Sequence, residues 1–253
     1  MGVTLGFGVD VGGSGIKGCT VDLDAGKLHE ERIRIPTPDP SKPDAVADVV
    51  KQIVDEFGWH GPVGVTLPAV IKRGVAHTAA NIDKSWLGTN AAALFADRLR
   101  LPAEDVVVLN DADAAGIAEI SYGWPDDREG VVVLLTFGTG IGSAVFVDGK
   151  LVPNTEFGHL EVDGHDAETR AAASVKEDKN LSWADWAQRV SRYVRGLEDL
   201  IWPDLIIAGG GVSKKADKWL PLLEVRTRVV PAELRNDAGI VGAAVAVREN
   251  MHG

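Results

Sequence analysis

Apolar and polar residues alternate with a period of two at the start of the chain. Leu5, Phe7, Val9 and Val11 interleave with Gly6, Gly8 and Asp10, which predicts a strand. The cluster Gly12-Gly13-Ser14-Gly15 predicts a turn, and residues 16–22 a returning strand. Residues 31–37 alternate again through Ile33 and Ile35, as the third strand of an antiparallel meander, before prolines 36, 38, 40 and 43 mark a loop. From Asp44 the spacing lengthens. Val46, Val49, Val50, Ile53, Val54 and Phe57 form the stripe of an amphipathic helix closed by Gly58. Short apolar runs at 63–67 and 106–109, separated by a helix around 90–99, read as buried parallel strands, and a further helix is expected over 112–122.

The opening pattern then recurs. Residues 131–136 predict a strand, Phe137-Gly138-Thr139-Gly140-Ile141-Gly142 a glycine turn, and 143–148 a returning strand. Gly12 matches Gly138, Val21 matches Val147 and Asp22 matches Asp148, each at an offset of 126. Such a repeat predicts two related halves facing a cleft. Ser182 and Asp185 have capping-box spacing before a long helix with the stripe Trp183, Trp186, Val190, Val194, Leu197 and Ile201. A buried strand at 205–208 runs into Gly209-Gly210-Gly211. The last helix, about 237–248, is rich in small residues that suit close packing.

The 253 residues carry 26 Lys+Arg against 37 Asp+Glu, a net charge of −11, with 45% hydrophobic residues. This is globular composition, and its acidity disfavours broad binding to nucleic acid or anionic membrane. No run reaches the roughly 20 apolar residues of a membrane span, and the N-terminus has no secretion-signal pattern. The single cysteine, Cys19, excludes an internal disulfide and a multi-cysteine zinc site. A cytoplasmic protein is expected.

Five motifs carry candidate chemistry. In Asp10-x-Gly12-Gly13-Ser14-x-x-Lys17, a glycine turn lets amides meet phosphate oxygens. Asp10 would orient Mg²⁺ through water, and Lys17 would meet phosphate charge; a plain hairpin is the alternative. Thr136, Gly138, Thr139 and Gly140 offer a second such turn without the frame of a P-loop. Asn110-Asp111 follows a buried strand, where a carboxylate serves either as a base for a substrate hydroxyl or as a helix cap. Glu156, His159, Glu161 and Glu168 suit the adjacent hydroxyls of a sugar, and their spacing matches no helical zinc motif. Gly210, Gly211 and Ser213 suit a phosphate chain or a base, or simply a strand-to-helix turn.

In their order and spacing, Asp10-Val11-Gly12-Gly13, Asn110-Asp111, Thr136-Phe137-Gly138-Thr139-Gly140, Glu156-x-Gly158-His159 and Gly209-Gly210-Gly211-Val212-Ser213 resemble the actin-like sugar kinases of the ROK family over essentially the whole chain. Within it the chain is most similar to the actinobacterial polyphosphate glucokinases, through residues 158–165 and 236–244. The resemblance implies an α/β, actin-like (ribonuclease H-like) duplicated ATPase fold with two domains around a central cleft. The division expected is a small domain of residues 1–111, a larger one of 112–236, and a C-terminal helix at 237–250 packing back on the first.

It also implies a homodimer using Mg²⁺, and phosphoryl transfer to the 6-hydroxyl of glucose from inorganic polyphosphate, with ATP as a further donor. An ATP-dependent hexokinase of the same family, acting on glucose or mannose, is the rival reading. Carried over by position, Asp111 is the catalytic base. Asn81, Asn110, Glu156 and His159 are sugar ligands, Glu168 is preferred to Glu161 as the second glutamate, and the glycine turns take the phosphates. The family's cysteine-rich zinc segment is missing after Gly158-His159, and Pro68-Ala69 stands where many members read Pro-Gly.

Overall fold

The computed structural model describes residues 2–249. It divides into two compact units, one running to Tyr122 and taking up the chain again from Asp237, the other Gly123–Asn236. The division thus falls eleven residues beyond the expected one, and the second unit is the smaller. Among the described residues no helix is long and apolar enough to cross a membrane.

The first unit is built on a sheet of β1 (Leu5–Val11), β2 (Ile16–Asp22), β3 (Lys27–Leu28), β4 (Ile33–Ile35), β5 (Val63–Leu67) and β8 (Val106–Asn110), ordered β3-β2-β1-β5-β8 with β4 also on β2. A small hairpin, β6 (Ile71–Lys72) and β7 (Val75–Ala76), lies in the connection after β5. The meander's third strand is split into β3 and β4, because the chain turns at Gly26 (φ +65°) and pairs with β2 early. Strands β1, β5 and β8 run parallel, and their inward residues Phe7, Val9, Val65 and Leu67 are fully buried.

Helix α1 (Pro43–Glu56) starts at a proline and buries Val46, Val50, Ile53 and Val54; α2 (Ala91–Leu99) is capped by Asn90. Helix α3 (Asp111–Ala118) continues as a π-helical turn, Glu119–Gly123.

The C-terminal helix, Ala238–Arg248, decides the division of the chain. It lies so close to β1, β5 and α3 that a Cβ at Gly8, Gly64 or Gly242 would stand 1.9, 2.0 or 1.7 Å from the carbonyl oxygen of Ile240, Ala243 or Ala114. Glycine at these contacts seats the helix on the sheet and ties α3 to the same unit. Asn250, included in the expected span of this helix, lies outside the described residues.

The second unit repeats the plan with β9 (Val131–Phe137), β10 (Ile141–Val147), β11 (Lys150–Val152), β14 (Leu205–Gly209) and β15 (Arg228–Pro231), ordered β11-β10-β9-β14-β15. Between β11 and β14 come the hairpin β12 (Glu161–Val162) and β13 (His165–Asp166), then α4 (Glu168–Ala171), α5 (Ala173–Asp178) and α6 (Trp183–Ile201). Ser182 caps α6 by accepting from the Asp185 N–H.

The two hairpins differ by one residue. Val11 faces Ile16 across residues 12–15, whereas Phe137 faces Ile141 across 138–140. The 126-residue offset therefore holds for the first strands only. Val21, opposite Gly6, corresponds to Phe146, opposite Val132, and the matches expected with Val147 and Asp148 shift by one.

Candidate functional site

In the first unit Asp10, one residue before the end of β1, has both carboxylate oxygens engaged. Oδ1 accepts from the Thr66 hydroxyl of β5 at 3.0 Å, and Oδ2 from Lys17 Nζ of β2 at 3.1 Å. Thr66 also accepts from the Val11 N–H, so the parallel pairing of β1 and β5 fixes the carboxylate. Gly239, in the C-terminal helix, has only 3.0 Å from a notional Cβ to Asp10 Cγ. In the turn, the Gly12 N–H closes on the Gly15 carbonyl at 3.1 Å, Thr37 donates to the Gly12 carbonyl, and Arg34 donates to that of Ser14. Gly13 packs against Asn81, which is exposed and holds φ +58°.

Asn110 and Asp111 divide the two readings of their motif. Asn110 is the cap: its Oδ1 accepts from the N–H groups of Ala112 and Asp113 at 2.8 and 3.2 Å, and its Nδ2 donates to the Ala69 carbonyl at 3.2 Å. It is buried, which leaves little of it for a ligand. Asp111, at the first turn of α3, is exposed, with Oδ1 accepting from the Ala112 N–H.

In the second unit two glycine turns meet. Gly209 pairs with Thr136 across β14 and β9, and a Cβ on Gly210 (φ +82°) would stand 2.2 Å from the Phe137 carbonyl oxygen. Phe137 is held edge-on by Trp186 and Trp219 at 5.8 and 5.6 Å, which anchors the strand end that carries the turn. The Gly138 N–H closes on the Gly140 carbonyl at 3.0 Å, as in the first unit's turn. Ser174, in α5, binds the Gly138 and Thr139 carbonyls. Gly211 opens a 3₁₀-helical segment, Gly211–Lys218, kinked at Lys215, in which the buried Ser213 hydroxyl has no partner among the described residues.

Glu156, His159 and Glu168 come together near the Gly140 turn. Glu168 Oε2 accepts from the Ile141 N–H at 3.0 Å, and its other oxygen lies 4.0 Å from His159 Nδ1. Glu161 is exposed on β12, paired with Asp166 across the β12–β13 hairpin. Loss of hydration pushes the Glu156 carboxyl up, with Glu168 adding and His159 opposing. The 3.0 Å hydrogen bond to Asp166 raises His159, against some desolvation, and the charges of Asp166, Glu168 and Glu156 add to it. His159, Asp166 and Glu168 bring one ligand atom each within 4.8 Å of one another, the only such trio among the described residues.

Because the folded-state value of His159 is raised, its pairing stabilises the fold fully below the ordinary histidine range and is lost as pH rises through the raised value. An NMR titration is expected to place the His159 midpoint above about 6.5, the ordinary histidine value. In Asp166→Asn it should fall back toward that value. An unchanged midpoint would show that Asp166 does not hold the ring.

Thr66 and Asp166 join the site without having been singled out in the sequence. Thr66 carried a signal, as the one polar residue in an otherwise apolar buried strand. Asp166 carried none.

A model of the ROK family matches residues 6–179. The polyphosphate glucokinase of Mycobacterium tuberculosis is 60% identical over 98% of this chain and 93% of its own. The inorganic polyphosphate/ATP-glucomannokinase of Arthrobacter sp. strain KM superimposes with a TM-score of 0.91 at 52% identity, covering 97% of this chain and 99% of that one. A ROK family glucokinase from Streptomyces griseus, solved with glucose and AMPPNP, has a TM-score of 0.82 at 24% identity, covering 97% and 100%, and so shares the fold.

Proposed function

The chain belongs to the ROK family, and we propose that it moves a phosphoryl group from inorganic polyphosphate, with ATP as a further donor, to the 6-hydroxyl of glucose, giving glucose 6-phosphate. The observation that carries this reading is identity of 60% and 52%, over nearly the full chain, to two enzymes named for polyphosphate and a hexose.

Phosphoryl transfer asks mainly for positioning and charge stabilisation. Asp111 takes the proton of the 6-hydroxyl; Asn110 caps α3 with its buried side chain, while the Asp111 carboxylate is exposed to an incoming alcohol. Glu156, His159 and Glu168 bind the sugar hydroxyls, with Asn81 as a further ligand. The glycine turns at 12–14, 138–140 and 210–211, with Lys17, Thr136, Thr139 and Ser213, receive the phosphates.

Asp10 suits Mg²⁺ held through water, because each of its oxygens keeps a lone pair beyond its bond to Thr66 or Lys17. The ion would neutralise charge on the transferring phosphates. A homodimer in the cytoplasm belongs to the same proposal, carried by the family resemblance alone.

Lys214, Lys215 and Lys218 stand exposed on the 3₁₀ helix that follows Gly210, where a long polyanion would leave the phosphate turns. Exposed ion contacts contribute about 0.2–1 kcal/mol each, so replacing all three by alanine should raise the KM for long polyphosphate about tenfold. The KM for ATP should change much less. Equal changes for both donors would remove the lysines from the donor path. Crossing glucose and mannose with ATP and polyphosphate in one coupled assay tests the whole reading.

A further inference from the structure

A cavity of about 310 Å³ lies within the second unit, walled by the β12–β13 hairpin, α4 and α6. Its charged lining is Arg170, Arg189 and Arg192 against Asp163, with His165 beside them. Arg192 is matched, since its Nη2 and Nε donate to the Asp163 carboxylate at 2.6 and 2.9 Å. Arg170 is exposed to solvent, and Arg189 is half-buried in the wall. Two donors of the lining residues are orphaned: Arg189 Nη1 and the Tyr193 hydroxyl are buried without a hydrogen-bond partner among the described residues. Tyr193 is 1% exposed, and burial, reinforced by the Glu168 charge, keeps its phenol protonated and therefore a donor.

Buried polar groups rarely stay unpaired, and the half-buried Arg189 guanidinium, with one nitrogen unpartnered among the described residues, is matched by negative charge. Guanidinium forks match phosphate oxygens, and a phenol supplies a third donor to a tetrahedral anion. We propose that this cavity binds a small phosphate-bearing anion at a site separate from the glycine turns. The lining residues Ala167 and Ala171 are the cap and the last residue of α4, which sets the cavity beside the helix that carries Glu168. The source is either an inorganic oligophosphate or a phosphate monoester.

Two measurements on the full chain test this. Crystals soaked in tungstate, a heavy phosphate analogue, should show anomalous density in the cavity, within hydrogen-bond reach of Arg189 Nη1 and the Tyr193 hydroxyl. Calorimetric titrations with tripolyphosphate and, separately, glucose 6-phosphate identify the source. For one of them, Arg189→Met should lose one binding site or weaken it at least tenfold, as loss of a charged hydrogen bond implies. Tyr193→Phe should weaken the same site to a smaller extent. An empty cavity in the soaked crystals, or titrations identical in wild type and both variants, would overturn the proposal. Neither readout uses turnover, so failure of the kinase reading would leave this result standing, and the reverse.

Discussion

Asp111→Asn is expected to lower kcat by at least about 10²–10⁴-fold, the contribution of a positioned general base. That is about 2.7–5.4 kcal/mol of barrier. Asparagine keeps the size of the side chain and an oxygen for the Ala112 N–H, which Asp111 now satisfies at 2.9 Å. The helix start does not depend on the replaced carboxylate, because Asn110 caps it. Folding and glucose affinity should therefore remain near those of the wild type while turnover collapses. A coupled assay for kcat and calorimetry for glucose separate the two. Turnover within tenfold of wild type, at unchanged glucose affinity, would deprive Asp111 of its role.

The largest effect on stability is expected at Gly242. Helix propensity alone favours alanine there by roughly 1 kcal/mol. The notional Cβ, however, lies 1.7 Å from the Ala114 carbonyl oxygen, and backbone on both sides leaves no flexible atom to yield. Overpacking of this kind costs about 1–3 kcal/mol and sometimes more, so Gly242→Ala should lose about 2 kcal/mol net. For a chain of this size that lowers Tm by about 4–8 °C. Gly196→Ala, on α6, is the control, since its nearest neighbour would be 3.5 Å away and the propensity gain is unopposed. Equal melting of Gly242→Ala and wild type would mean that the C-terminal helix is not held by this contact.

What the sequence made legible followed from local periodicity. The paired hairpins, the stripe of α1 and the Ser182 cap of α6 could all be read from spacing, because a period of two or 3.6 repeats often enough to stand out. The hairpins β6–β7 and β12–β13 have two-residue strands, too short to show a period, and β15 mixes Arg228 and Pro231 with only two valines. The boundary at Tyr122 was hidden for another reason. It depends on a helix more than a hundred residues downstream meeting Gly8 and Gly64 and, through its own Gly242, Ala114 of α3, which no local pattern encodes.

The candidate site divides the same way. Asp10, Asp111 and His159 stand in recognisable motifs, but their partners Thr66 and Asp166 are set by strand pairing and a hairpin. Asparagine and aspartate are equally good caps, so only the direction of the two side chains separates Asn110 from Asp111.

The central claim is that this chain phosphorylates glucose from a polyanion without needing a nucleotide. Phosphorus NMR of the purified protein with glucose, Mg²⁺ and polyphosphate, and no ATP, tests it most directly. A growing phosphate-monoester signal matching glucose 6-phosphate, at the expense of polyphosphate, is the predicted result. No monoester under these conditions, with ready formation once ATP is supplied, would contradict it.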